Sequence, residues 1–543
     1  MNSLVLAGGG LILLFLGYRF YGAFIEKLWD IDPSHQTPAH EINDGIDYVP
    51  AKHWTVLFGH HFASIAGAGP IIGPVIACYY WGWLGVLLWL IFGSIFLGAV
   101  HDFSSLVVSM KMKGSTIAIV CRDTLGKKAH ILFSLFLWLS LILVVGVFAA
   151  LGAKTLASKP QIVIPAMGII PLAMIIGFLM YRLNMNQIAA TSIGIILLIL
   201  LIIWGKLHPV DFTDKVADPV RLWIYILLIY AFIASILPVN ILLQPRDYLS
   251  TFLLFFGLVF GYAGLLITRP PVYAPAFVSF NSKGGPIWPM MFVIVACGAI
   301  SGFHNIVSSG TTSKQISSEK DAKRIGYGAM IVESALGILA LICVAAGLHW
   351  SPATGTPVYS QLMKEGWIVV FSEGFGQITR PILGVFGSLI AATILNAFII
   401  TTLDTATRVT RYITEETFHI RNKYLSTSVV ILIALYFAMG NWKAIWPVFG
   451  ASNQLSAAMA LLVVSAWLMS KNKKSVYTFI PAIIMILTSG TALLWQLNKY
   501  ITQNNRLLAV ISALLILLAL YMFFITVQYF IFRNRRNEQT NTI

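Results

Sequence analysis

The sequence predicts an all-α polytopic membrane protein with about 15 spans. Three observations predict it. Of the 543 residues, 58% are hydrophobic and only 10% are charged. Ordinary soluble domains carry about 25% charge, so too few charged groups exist to cover a water-facing surface of this size. Mean hydropathy is +0.82. Apolar runs of the roughly 20 residues a helix needs to cross the hydrocarbon core recur along the whole chain. This composition excludes a soluble enzyme, a fibrous or disordered chain and a nucleic-acid-binding domain. The net charge of +15 fits Lys and Arg gathered in cytoplasmic loops. Cys78, Cys121, Cys297 and Cys343 are scattered without a CxxC pair, so they read as small core residues rather than a zinc or disulfide framework.

The first span is 4–24. No basic residue precedes it and Arg19 stands where a cleavage site belongs, so it reads as an ordinary span rather than a cleaved signal. The spans 55–78, 82–109, 130–153, 162–182, 187–206, 222–243 and 249–268 follow. After them come 288–312, 326–348, 381–404, 426–440, 444–469, 477–497 and 507–531. The longest hydrophilic stretches, 25–54 and 349–380, read as ordered loops, leaving no room for a soluble domain. With the N-terminus outside, the inside loops hold 23 Lys and Arg, Arg182 and Arg246 among them, and the outside loops 12. That bias predicts N-out, C-in. Trp81 and Trp83 fit an aromatic belt at the outer boundary.

Two apolar segments make poor continuous helices. Residues 58–77 read FGHHFASIAGAGPIIGPVIA, and residues 297–316 read CGAISGFHNIVSSGTTSKQI. Glycine weakens a helix interior and Pro removes a donor. In lipid such breaks survive only where protein or a watery cavity meets the freed backbone groups. The pattern Gly59-x-His61-x5-Gly67 returns as Gly302-x-His304-x5-Gly310, offset by 243 residues, in spans predicted to run in opposite directions. Paired discontinuous helices of opposite direction point to an inverted-repeat secondary transporter with a midplane site. A half-helix starting near Pro70 offers a positive dipole end to a carboxylate. The carbonyls near Ala66–Ala68 suit a cation or an ammonium. The competing reading is a pair of kinks used for close packing.

At these residues the sequence resembles the carbon starvation protein A family. The blocks that carry it are FGHHFASIAGAGPIIGPVIA, GAVHDFSSLVVSMKMKG (98–114), ISGFHNIVSSGTTSKQI (300–316), TTLDTATRVTRY (401–412) and WPVFGASNQLSAAMALL (446–462). The resemblance implies a multi-pass transporter of the bacterial inner membrane, related to the amino acid–polyamine–cation superfamily, with a five-plus-five inverted-repeat (LeuT-like) core and extra helices. It implies peptide uptake during starvation, with proton-coupled pyruvate uptake in close relatives. The expected organisation is 1–54 first span and loop, 55–206 first repeat, 207–287 inserted pair, 288–470 second repeat, and 471–543 C-terminal pair and basic tail. Small peptides or pyruvate are the expected substrates and lipid the surroundings. No organic cofactor is expected, and H+ or Na+ is the coupling ion.

The expected substrate site comprises His60, His61, Gly67, Gly69, His304, Asn305, Ser308, Asn453 and Gln454. An ionisable group at membrane depth is a functional candidate by default, and histidine titrates where a proton-coupled carrier works. The alternative is a neutral histidine locking a break. Asp102, Thr401, Thr402 and Asp404 are the expected coupling-ion residues, since hydroxyls on the equivalent span of related carriers help bind such an ion. The plainer readings are a helix-end cap at His101–Asp102 and an i, i+4 pair between Asp404 and Arg408. Glu333 lacks a neutralising neighbour within a helical turn, so it is protonated, paired with another span or lining the cavity. Asn453 and Gln454 bond substrate or knit helices. A metal-binding membrane enzyme or sensor using His60, His61, His101 and Asp102 is the second hypothesis. No P-loop, HExxH or GxSxG occurs, so the chain reads as a carrier and not an enzyme.

Overall fold

In the computed structural model each of the fifteen apolar segments overlaps at least one helix among the described residues, although 55–78 and 288–312 are interrupted. The structure describes residues 2–541 apart from 46, 52, 182, 184, 238–241, 352–357 and 441; Arg182, counted among the inside charges, lies outside the described residues. The principal helices in order are α1 (Ser3–Lys27), α2 (Trp54–Ile65), α3 (Gly69–Trp81), α4 (Trp83–Lys111), α5 (Ile117–Leu125), α6 (Lys127–Ser158) and α7 (Val163–Tyr181). Then come α8 (Gln187–Leu207), α9 (Pro219–Ile236), α10 (Leu243–Thr268), α11 (Ala296–Ala299), α12 (Gly302–Gly310), α13 (Gly328–Gly347) and α14 (Tyr359–Glu365). The last are α15 (Trp367–Leu383), α16 (Gly387–Phe418), α17 (Lys423–Met439), α18 (Trp442–Ser470), α19 (Val476–Thr502) and α20 (Arg506–Asn541). Among the described residues, 12 helical stretches are long and apolar enough to cross a membrane; the bent pair α2–α3 makes a thirteenth, and α17 is shorter. The only strands described are the antiparallel pair Asn281–Ser282 and Gly285–Pro286.

Local chemistry sets the boundaries. Asp218 accepts from the N–H of Arg221 at 3.0 Å just before Pro219 opens α9, and Asn422 accepts from Tyr424 and Leu425 at the start of α17. Gly82 turns α3 into α4 with φ +91°, and a Cβ there would stand 2.5 Å from the carbonyl oxygen of Ala276, so only glycine fits. α18 is the buried post of the bundle, its most apolar stretch wholly enclosed. α6 packs along α16, and α9 and α17 each pack against both.

Two boundaries depart from expectation and matter for the site. The stretch 349–380, read as loop, contains most of α15. Its charged face (Glu373, Arg380) hides the run, while Ile368, Phe371, Phe375 and Ile378 are buried. The span placed at 381–404 instead starts at Gly387 and runs to Phe418, which moves Asp404 from a helix end to the middle of a buried helix.

Candidate functional site

The first break follows from its sequence. α2 stops at Ile65, Ala66 takes φ −74°, ψ 66°, and α3 begins at Gly69 with Pro70 in its first turn. The two halves bend by 45°. In the second break Ile300 and Ser301 are fully extended between α11 and α12. The breaks touch. A Cβ on Gly69 would lie 2.4 Å from Cys297 Sγ, one on Gly73 2.5 Å from the Ile294 carbonyl, and Gly298 rests on Pro70. Gly69 is therefore a close-packing position, and the start of α3 is covered by the second broken segment. The glycine–histidine echo matches helix ends and not the extended break. Its offset carries residues 66–68 onto 309–311, where α12 ends at Gly310, whereas the extended residues of the second segment are 300–301.

Four helices meet at a buried cluster. His304 on α12 places Nδ1 2.8 Å from Asp102 Oδ2 on α4, and Nε2 3.3 Å from Glu333 Oε2 on α13. His101 Nδ1 lies 2.8 Å from the other Asp102 oxygen. On α2, His61 Nδ1 lies 2.8 Å from Thr312 Oγ1. All five ionisable groups have 0% exposure. Two ionised carboxylates buried together without compensation would be costly there. Buried polar atoms here without a hydrogen-bond partner among the described residues include His61 Nε2, His101 Nε2, Asn305 Oδ1, Ser308 Oγ, His304 Nε2 and both Glu333 oxygens, so the His304–Glu333 approach is a charge contact and not a hydrogen bond. The helix-end cap expected of His101–Asp102 is corrected, since both sit well inside α4, about 15 Å before its end by helical rise.

Other expected residues separate from this cluster. Asn453 Oδ1 accepts from the N–H of Phe303 at 3.0 Å, and its Nδ2 donates to Ser301 Oγ at 2.9 Å. Gln454 Nε2 donates to the Phe292 carbonyl at 2.7 Å. Both amides satisfy backbone and side-chain groups exposed by the second broken segment, so they knit helices. Asn305 Nδ2 donates to the Gly302 carbonyl at 2.6 Å, and its Oδ1 is buried without a partner among the described residues. The proposed metal set does not assemble: His60 turns to Asp247, 3.9 Å away, while His61 turns to Thr312. Among the described residues no group of three or more His, Cys, Asp or Glu is placed to hold a metal ion.

The coupling-ion residues also divide. Thr402 Oγ1 lies against Gly67, 2.7 Å from where a Cβ would stand, and Thr401 donates back to the Ala397 carbonyl at 2.9 Å. Asp404, two residues on, points about 200° round the helix from Thr402. Its partners are Arg246 of α10 and the hydroxyl of Tyr230 on α9, which donates to Oδ2 at 2.7 Å. The expected pair with Arg408 does not form; that guanidinium donates to the carbonyls of Ala234 and Leu237. Arg246 is 1% exposed, so it is no loop charge and drops out of the orientation count. It also donates to Asp247 at 3.0 Å and to Tyr230 at 2.8 Å.

The family model described as Carbon starvation protein CstA matches residues 2–351 and 353–492. The chain belongs to this family. Among curated relatives, the peptide transporter CstA of Campylobacter jejuni is 32% identical, covering 94% of this chain and 82% of its own. The peptide transporter CstA of Bacillus subtilis is 31% identical over 97% and 96%. The pyruvate/proton symporter BtsT of Escherichia coli is 31% identical over 88% and 79%. Among solved structures, a manganese transporter of Eremococcus coleocola aligns with TM-score 0.53 at 14% identity, covering 91% of this chain and 99% of that one. That likeness concerns the fold alone: an all-α polytopic membrane protein.

For this CstA-family chain, sequence reasoning missed Arg246, Asp247, Tyr230 and Thr312. The signal for Arg246 and Asp247 was available: α10 begins six residues before the expected boundary of 249, which draws both charges into a span.

Proposed function

We propose that the chain is a proton-coupled importer of small peptides in the bacterial inner membrane, working by alternating access. The observation that carries this reading is His304 set between Asp102 and Glu333 beside two touching helix breaks. An imidazolium there donates to Asp102 at 2.8 Å and sets its second N–H in charge contact with Glu333 at 3.3 Å, which draws α12 toward α4 and α13. A neutral ring offers only one N–H, so proton release weakens one of the two ties. Proton occupancy thereby biases where the second half of the broken span sits, which is what coupling requires. The unpartnered atoms of His61, Asn305 and Ser308 supply hydrogen bonds to a polar substrate, and the carboxylates supply a partner for a peptide ammonium.

Packing supports an inverted repeat with revised limits. α6 and α16 are each 32 residues long and lie together, with α9 and α17 symmetrically against them. In this reading the units run from α2 to α10 and from α11 to α18, and the hairpin α7–α8 is the insertion. The N-out, C-in orientation belongs to the same proposal. The alternative substrate is a small carboxylate such as pyruvate, favoured by the likeness to the pyruvate/proton symporter. Counterflow in proteoliposomes tests the choice: unlabelled dipeptide exchanging for labelled dipeptide supports peptides. Exchange of pyruvate alone moves the chain to the carboxylate branch.

A further inference from the structure

Arg246 has no role in the cluster above, yet it is fully enclosed and joins α9, α10 and α16. Its guanidinium contacts Asp404 Oδ2, and it donates to Asp247 and Tyr230. Asp404 is the one carboxylate in α16 before Glu415, and Oδ2 takes the Tyr230 hydroxyl as well. The second carboxylate, Asp247, has His60 3.9 Å away. Thr402, the hydroxyl nearest the first break, faces Gly67 on another side of the helix. The residues that would chelate a metal cation are therefore split between two faces, and Arg246 is the cation that the two carboxylates, Asp404 and Asp247, share.

We propose that Arg246 is a tethered cation: it fills, beside Asp404, the place a coupling metal cation would take, and so makes the carrier indifferent to sodium. This rests on the proton-coupled reading and narrows it to the choice of ion. A guanidinium remains charged at all working pH, so it stands permanently against Asp404 Oδ2, in the position a metal cation would need. Asp404 Oδ1 makes no hydrogen bond among the described residues. That oxygen is open to a small cation, which makes sodium itself the right probe.

The test is the thermal midpoint of the purified full chain in sodium, potassium and choline chloride at equal ionic strength. Wild type and Arg246→Lys should show no sodium-specific shift. Arg246→Gln paired with Asp247→Asn removes one charge of each sign and leaves Asp404 without its guanidinium. That variant should gain about 3 °C from about 100 mM sodium through binding to the folded state. Sodium-specific stabilisation of wild type, or a folded double variant as sodium-blind as wild type, overturns the assignment. Should the double variant not fold, stimulation of wild-type uptake by a sodium gradient at fixed pH overturns it equally. Uptake that ignores protons, in a protein that also ignores sodium, would sink the proton-coupled reading and leave the tethered cation standing.

Discussion

His304 and Asp102, separated by 202 residues in sequence, meet at 2.8 Å in a fully buried contact between the second broken segment and α4. Glu333 closes the other side of the same ring at 3.3 Å. A single imidazole held by two carboxylates has few low-energy charge states, and each differs by a proton. Coupling in this chain is therefore expected to depend on these three side chains more than on any others.

Asp102→Asn keeps the shape and removes the charge that both histidines face. Gradient-driven accumulation should fall about tenfold or more, while exchange at equal pH on both sides persists, as when a coupling interaction and not binding is lost. Equal loss of both in proteoliposomes would count against the assignment.

Glu333→Gln should also uncouple uptake from the pH gradient. Because the native carboxyl is wholly buried without a hydrogen bond, its amide replacement should leave the thermal midpoint unchanged or raise it, relieving the cost of a buried ionisable group. A large drop would mean the carboxylate is chiefly structural.

Asn453→Ala should cost about 1–3 kcal/mol of stability by stranding the N–H of Phe303, read as a lower thermal midpoint. The KM of the remaining activity should stay within about twofold, because this amide serves the break and not the substrate. A KM rising without any loss of stability would restore its expected substrate role.

Gly69→Ala pushes a Cβ against Cys297, with Sγ at 2.4 Å and Cβ at 2.7 Å. Uptake should fall about tenfold, the scale at which overpacking at a tight contact costs more than 1 kcal/mol. Cys297→Gly removes both atoms, and the double variant should recover most of the loss. Failure of that rescue would show that the two breaks are not in contact during transport.

A loop pair gives a pH control outside the spans. The Lys473 ammonium, 2.5 Å from Asp30, holds that carboxyl below its usual range. A depressed folded value makes the contribution present above about pH 4 and lost as pH falls through it. At neutral pH neither Lys471→Ala, at the exposed charge in the same loop, nor a one-unit change of pH acting on the Asp30–Lys473 pair should alter uptake. A strong effect of Lys471→Ala, measured by the same uptake assay, would put a functional surface on this loop.

The sequence made the architecture legible through composition and through Gly67, Gly69 and Pro70, whose backbone chemistry leaves no uninterrupted helix. His61, Asp102, His304 and Glu333 stood out as costly groups in apolar runs. Their mutual contacts did not, because each pair lies on different helices and nothing local encodes the meeting. Arg246 was hidden by a boundary set six residues late. α15 was hidden by Glu373 and Arg380 on its outer side. Asn453 and Gln454 could be read either way, since an amide that caps a break and one that binds a substrate look alike in sequence.

The most direct test is uptake of labelled dipeptide and labelled pyruvate into proteoliposomes under an inward proton gradient, with a sodium gradient at constant pH as the comparison. The account predicts dipeptide accumulation driven by protons, unaffected by sodium and lowered about tenfold or more in Asp102→Asn. Accumulation of either substrate that follows sodium and ignores protons, from correctly inserted protein, would contradict it.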